Sequence, residues 1–225
     1  MRANSRVPTS AQSGIHAHLA SLLDRHSAAP FRKPYADYNR RAFTASLERR
    51  ERLARNRPLI LDSCCGVGES SLALAQAFPD HYVIGVDQSE SRLSRNVIGT
   101  NSTMQLPPNL DLVRADLVDY WRLLHDNGIR LERHYLLYPN PWPKIGHLSR
   151  RWYGHPVFPT VLELGGILEC RSNWCIYIDE FSFAVERMTQ RAAICEPYVT
   201  ENPITPFERK YLASAHPLFR TIVRL

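Results

Sequence analysis

The chain has no apolar run near the ~20 residues that a bilayer span requires, and Met1–Ser13 lacks the apolar core of a secretory leader. A membrane role is therefore not expected, and a cytoplasmic location is. Cysteine is scarce, with Cys64, Cys65, Cys170, Cys175 and Cys195 only. Their number is odd and three fall in strand-like or motif positions, so a disulfide framework is not expected. Cys170 and Cys175 have no second pair or close histidine to complete a metal site, so the expectation is no metal and reduced, buried thiols. Acidic residues are few at one end. Residues 1–57 hold twelve Arg/Lys against four Asp/Glu, a balance of +8, whereas residues 58–225 balance at −2. Such a basic N-terminal arm suits a polyanionic partner, with a merely solubilising arm as the alternative.

What is present bounds the fold. At 225 residues and 44% hydrophobic content, one α/β domain with a substantial core is feasible. The organising stretch is Leu59-Ile-Leu-Asp-Ser-Cys-Cys-Gly-Val-Gly-Glu-Ser-Ser-Leu72. Leu59–Leu61 reads as a buried strand, Gly66 and Gly68 as a tight turn open to a ligand, and Ser70–Phe78 as the following helix. A strand, a glycine turn and a helix N-terminus make a nucleotide-cofactor site. A dinucleotide fingerprint would place Gly or Ala where Ser71 stands. Asp62 at the strand's end can instead face a cationic sulfonium ligand and its amino group. Asp87, which ends the next strand-like run Tyr82–Val86, stands where ribose hydroxyls are bound. This arrangement resembles the S-adenosylmethionine-dependent methyltransferases, with Cys64 at the position of their first glycine.

Taken in order, residues 1–14 are expected to be disordered, Ile15–His26 and Phe43–Arg55 to be helices, and the stretch 1–57 to form an arm ahead of a domain over 58–225. Phe31, Tyr35 and Tyr38 interleave with Arg32 and Lys33, a pattern that suits RNA contact or simply pins an arm down. Past Asp87 a short helix over 89–96, a loop over 99–109, a strand over Leu110–Val113 and a helix over Leu117–Leu124 follow. Leu131–Tyr138 and Ile167–Cys170 read as strands, Ile176–Ala193 as a helix, and two C-terminal apolar runs complete the sheet. This alternation predicts a Rossmann-like, doubly wound, mostly parallel sheet with ligands at the strands' C-terminal ends.

Tyr138-Pro-Asn-Pro-Trp-Pro-Lys144 is the most specific stretch. Its prolines set a rigid loop past the fourth strand. Trp142 can stack on a base, Asn140 can pair with a base edge, and Lys144, followed by His147, Arg150 and Arg151, can meet phosphates. Together with Gly165-Gly166, Ser172-Asn-Trp174 and Thr205-Pro-Phe-Glu208, this order of motifs resembles the tRNA (guanine-N7)-methyltransferase family over residues 58–225. The resemblance implies a class I methyltransferase fold and S-adenosylmethionine held by Asp62, Gly66, Gly68, Asp87 and Asp116. Asp116 doubles as a candidate cap for the helix after it. It also implies a tRNA partner met by Trp142, Lys144, Arg150, Arg151, Thr205 and Glu208. Asn140 and Asn173 take the catalytic positions, where the family carries aspartates.

Overall fold

The computed structural model describes residues 5–95 and 106–225. The loop expected over 99–109 and the end of the short helix expected over 89–96 therefore lie largely outside the described residues. Seven strands form one sheet: β1 (Leu59–Ser63), β2 (Tyr82–Asp87), β3 (Leu110–Arg114), β4 (Arg133–Leu137), β5 (Ile167–Ser172), β6 (Glu196–Pro197) and β7 (Phe219–Arg224). Their order is β3-β2-β1-β4-β5-β7-β6. β1 pairs with β2 and β2 with β3 in parallel, while β7 runs antiparallel to both β5 and β6. Every residue of β1 and β2 is buried, as parallel strands covered on both faces require. The helices are α1 (Leu19–Ala28), α2 (Asp37–Ala54), α3 (Glu69–Ala77), α4 (Glu90–Leu93), α5 (Leu117–Asp126), α6 (Phe158–Glu163), α7 (Cys175–Thr189) and α8 (Pro206–Ala213). This is the expected alternation of strands and helices in a mostly parallel sheet. Among the described residues no helix is long and apolar enough to cross a membrane.

The chain divides into two compact units: one of Pro34–Tyr135 with Leu164–Gly166, the other of Met1–Lys33, Leu136–Glu163 and Ile167–Leu225. The stretch 1–57, expected as an arm, falls partly in each: residues 1–33 in the second unit and residues 34–57 in the first. In the first unit α2 is stitched to α5 and β3. Asn39 donates to Asp119 at 2.7 Å, the Ser46 and Tyr120 hydroxyls meet at 2.7 Å, and Arg49 reaches Asp111 at 2.7 Å. Tyr35 lies under the guanidiniums of Arg40 and Arg122, 4.6 and 4.2 Å from its ring centre, and donates to Asp126. Its aromatic ring serves packing there. In the second unit α1 buries Leu19 and Leu23 and joins α7 through paired Arg187–Asp24 bonds of 2.7 and 2.8 Å.

Of residues 1–14, expected to be disordered, those from 5 onward are fastened along the second unit instead, as is His16. Ser10 donates to the Pro143 carbonyl at 2.6 Å, and Gln12 Nε2 donates to Glu180 at 2.5 Å. The His16 N–H donates to the same Glu180 oxygen at 2.7 Å. Polar side chains with distant partners leave no hydrophobic periodicity, so composition alone could not reveal this docking. α7 also ends earlier than expected. Gln190 adopts φ 58° after Thr189 and turns the chain away, satisfying a terminal carbonyl through its N–H to Glu186 O.

Candidate functional site

In the first unit two glycines shape the turn between β1 and α3. Gly68 caps α3 with φ 80°, a conformation that favours glycine, and a Cβ there would sit 2.8 Å from Leu112 Cδ1 and push that side chain aside. Gly66, at φ 61°, faces open space within 4 Å of a would-be Cβ, which leaves the turn's backbone approachable. Cys64 takes φ 64°, the left-handed conformation a glycine adopts without cost. Asp87 ties the turn to the end of β2. Its Oδ2 accepts from the Gly66 N–H at 3.0 Å and its Oδ1 from the Ser89 N–H at 2.8 Å, with Arg92 3.6 Å away.

Asp62 has a different setting from the one its sequence position implies. It is fully buried, and its Oδ2 accepts from the Ser70 and Ser71 hydroxyls, each at 2.6 Å. The carboxylate thus ties the first turn of α3 to β1. Ser71, the residue that spoils a dinucleotide fingerprint, packs against Gly85 so closely that a Cβ on Gly85 would lie 2.2 Å from its Oγ. Gly85 and Ser70 carry no local sequence signal for these roles, because only the fold places β2 against α3. Asp116 is the N-cap of α5, accepting from the Val118 N–H at 2.8 Å, while its own N–H donates to Asn39 at 2.9 Å. It remains half-exposed. Under the turn, Ser63 Oγ accepts from the Trp121 Nε1–H at 3.0 Å and shares a 2.8 Å bond with His134 Nε2.

The second unit carries the proline-rich loop. Tyr138 and Trp142 both take left-handed backbone conformations, φ 54° and 44°, which the surrounding bonds must hold in place. Tyr138 donates to Glu208 at 2.9 Å, and burial followed by the Glu208 charge pushes its phenol well above the ordinary range, so it stays protonated. Arg151 secures the other end. Its Nε donates to the Trp142 carbonyl at 3.2 Å, and its other nitrogens reach Glu180, Gln12 and the Lys144 carbonyl. Arg151 is fully buried. Its expected contact with substrate phosphates is therefore corrected: it braces the loop from within. Arg150, by contrast, is exposed and holds its guanidinium 4.9 Å from the Trp142 ring centre, while His147 meets that ring edge-on at 5.5 Å. Lys144 is exposed, and Asn140 is too, its Oδ1 accepting from the Trp142 N–H at 3.3 Å.

Asn173 and the Thr205–Glu208 pair lie in the same unit but are already engaged. Asn173 is 4% exposed and bonds His216 at 3.1 Å, whose other ring nitrogen meets the Ser5 carbonyl at 3.0 Å. Thr205 is the N-cap of α8, accepting from the Glu208 N–H at 2.9 Å. The Glu208 carboxylate is buried between Arg171 at 2.7 Å, Tyr138 and the Ile204 N–H at 2.8 Å. Sequence places both residues at the substrate; in this structure they anchor the loop's start through Tyr138. His216, Glu180 and Arg171 are structural partners with no local sequence signal.

Residues 56–221 match the model of the family described as "Putative methyltransferase". The tRNA (guanine-N(7)-)-methyltransferase of Mycolicibacterium gilvum is 31% identical over 174 residues, 71% of this chain and 64% of that protein. The protein of the same name from Pseudomonas fluorescens is 30% identical over 165 residues, 69% and 67% of the two chains. The match thus spans less than two thirds of the Mycolicibacterium relative's length. A solved structure described as an antibiotic-related methyltransferase aligns at a TM-score of 0.57 and 13% identity, covering 86% of this chain and 97% of that one. That likeness bears on the fold alone.

Proposed function

The chain belongs to the tRNA (guanine-N7)-methyltransferase family, and on that premise we propose that it transfers a methyl group from S-adenosylmethionine to N7 of a guanine in tRNA. The observation that carries this reading is the turn at Gly66, which has open space beside its backbone and is held at one side by Asp87. Those residues fit the cofactor: exposed backbone at a helix N-terminus suits its carboxylate, and a carboxylate at the end of β2 suits its ribose. Bound there, S-adenosylmethionine supplies an electrophilic methyl on a sulfonium.

Guanine N7 carries an in-plane lone pair and no proton, so no residue of this chain need act as a base. The chain's task is positioning, which can contribute ~7–11 kcal/mol when the reacting atoms are held in line. Asn140, exposed on a loop braced at Tyr138 and Arg151, can accept one hydrogen bond from the guanine edge through its carbonyl. Being neutral, it adds no charge to offset the cation forming on the base. Trp142 offers a ring for stacking once Arg150 moves aside or stacks with it.

Incubation with labelled S-adenosylmethionine and unmodified tRNA, followed by nucleoside mapping, is expected to show N7-methylguanosine. Calorimetry should show cofactor binding that Asp87→Ala weakens severalfold or more, since the turn loses its tie to β2. No cofactor binding, or tighter NAD binding, would defeat the reading.

Asn140→Ala is expected to lower kcat/KM on tRNA by an amount equivalent to about 1–3 kcal/mol, the cost of leaving a bonding partner unmet. The double change Asn140→Asp and Asn173→Asp restores the family's two aspartates and is expected to raise N7 methylation through the charge gained at exposed Asn140. If the double variant makes no N7-methylguanosine while still binding cofactor, the chain methylates another nucleobase or a small molecule.

Surface cations give a separable effect. Lys144→Ala, Arg150→Ala and the Arg32→Ala/Lys33→Ala pair alter exposed residues only. Each phosphate that a variant no longer neutralises should reduce the salt slope of tRNA binding by roughly 0.7–0.9. A slope unchanged in all three variants would remove these groups from the RNA surface.

A further inference from the structure

The second unit contains a cluster that methyl transfer does not use. Cys175 opens α7, Asp179 follows one helical turn later on the same face, and Cys195 returns to them after the chain reverses at Gln190. Cys175 Sγ lies 3.4 Å from Asp179 Oδ2 and 3.8 Å from Cys195 Sγ. All three ligand atoms fall within 4.8 Å of one another, and each residue is part-exposed. In sequence Cys170 is the nearer cysteine to Cys175, but it is buried in β5.

These distances match the edges of a coordination polyhedron. With metal–sulfur bonds of ~2.3 Å and metal–oxygen bonds of ~2.0 Å, a tetrahedron has sulfur–sulfur edges of about 3.8 Å and sulfur–oxygen edges of about 3.5 Å. We propose that Cys175, Asp179 and Cys195 bind one thiophilic divalent cation, with Zn2+ as the ion the geometry fits and water in the fourth position. Two thiolates and one carboxylate are a soft-to-borderline donor set of the kind Zn2+ takes and Mg2+ does not. Burial, and then the neighbouring Asp179, raises both thiols above the ordinary range, so they hold their protons while no cation is bound. Binding therefore releases two thiol protons, and affinity rises with pH. The ion clamps the segment after α7 to that helix's first turn, two residues beyond Asn173.

The test uses the reduced full-length chain, equilibrated with Zn2+ and then dialysed, with Co2+ as a spectroscopic probe. About one equivalent of zinc per chain is expected, with a sulfur-to-cobalt charge-transfer band in the near ultraviolet and tetrahedral visible bands. Cys195→Ser should abolish the band, and Asp179→Asn should weaken metal binding at least tenfold, both with a native circular dichroism spectrum. Zinc at a hundredfold excess over Kd should raise Tm by about 5 °C or more in wild type and not in Cys195→Ser. Reduced wild type that retains no zinc, or Cys195→Ser that retains all of it, would overturn the proposal. So would a Cys175–Cys195 disulfide in the untreated protein with no cobalt band after reduction, which would assign the pair to redox chemistry.

Discussion

Arg151→Ala is expected to lower the unfolding free energy by about 3–5 kcal/mol, because it leaves the Glu180 carboxylate buried without its cation. Both side chains are fully enclosed. Tyr153, Gln12 and the His16 N–H still bond Glu180 in the variant, yet none carries compensating charge. For a domain of this size the loss corresponds to a Tm drop of roughly 6–20 °C. Arg151→Lys should not restore stability, since one ammonium cannot replace a fork that meets Glu180, Gln12 and two loop carbonyls together. Urea unfolding of wild type and both variants measures this directly. A fully stable Arg151→Ala with weaker tRNA binding and a shallower salt slope would return Arg151 to the RNA surface. The expected functional consequence is separate: with the Trp142 carbonyl released, the loop's left-handed turn loses a brace and kcat/KM falls more than cofactor affinity does.

His134 is expected to dominate the acid limb of the stability curve. It is fully buried, and burial pushes its imidazole down to about 3. No acceptor among the described residues meets its Nδ1, so a protonated ring would bury an N–H with nothing to receive it. The unfolded chain protonates this histidine near pH 6.5 and the folded chain only near pH 3, so the unfolded state binds more protons between those values. The stabilisation is complete above pH 6.5 and is lost as pH falls through that window, at about 1.4 kcal/mol per pH unit. The readout is the difference from His134→Gln, which keeps a polar group beside Ser63 but cannot titrate. Wild type should lose about 2–3 kcal/mol more than the variant between pH 6.5 and 4.5. Parallel curves for the two proteins would place His134 in contact with water.

Much of this protein was legible in its sequence, and the reason is locality. The β1–turn–α3 unit follows from an apolar run, two glycines and an Ala/Leu-rich segment, all adjacent in the chain. The positions of Asp87 and Asp116 at strand ends follow from the alternation of strands and helices. The rigidity of Tyr138–Lys144 follows from its prolines. Each of these is set by neighbours within a few residues, where backbone sterics and periodicity act.

What the tertiary structure decided was the partner of each polar side chain. Asp62 stands at a cofactor position in the sequence, yet its carboxylate is sealed beneath Ser70 and Ser71. Arg150 and Arg151 are adjacent and alike in sequence; one is exposed over Trp142, and the other is buried against Glu180. Glu208 and Thr205 match a family motif but are occupied as a cap and an anchor for Tyr138. Cys195 has no signal of its own until the reversal at Gln190 brings it to Cys175 and Asp179. Gln12 and His16 meet Glu180 across more than 160 residues of chain. Such pairings depend on which surfaces the fold brings together. A buried charge must then find its partner wherever the backbone happens to pass, a constraint that no local pattern of residue types encodes.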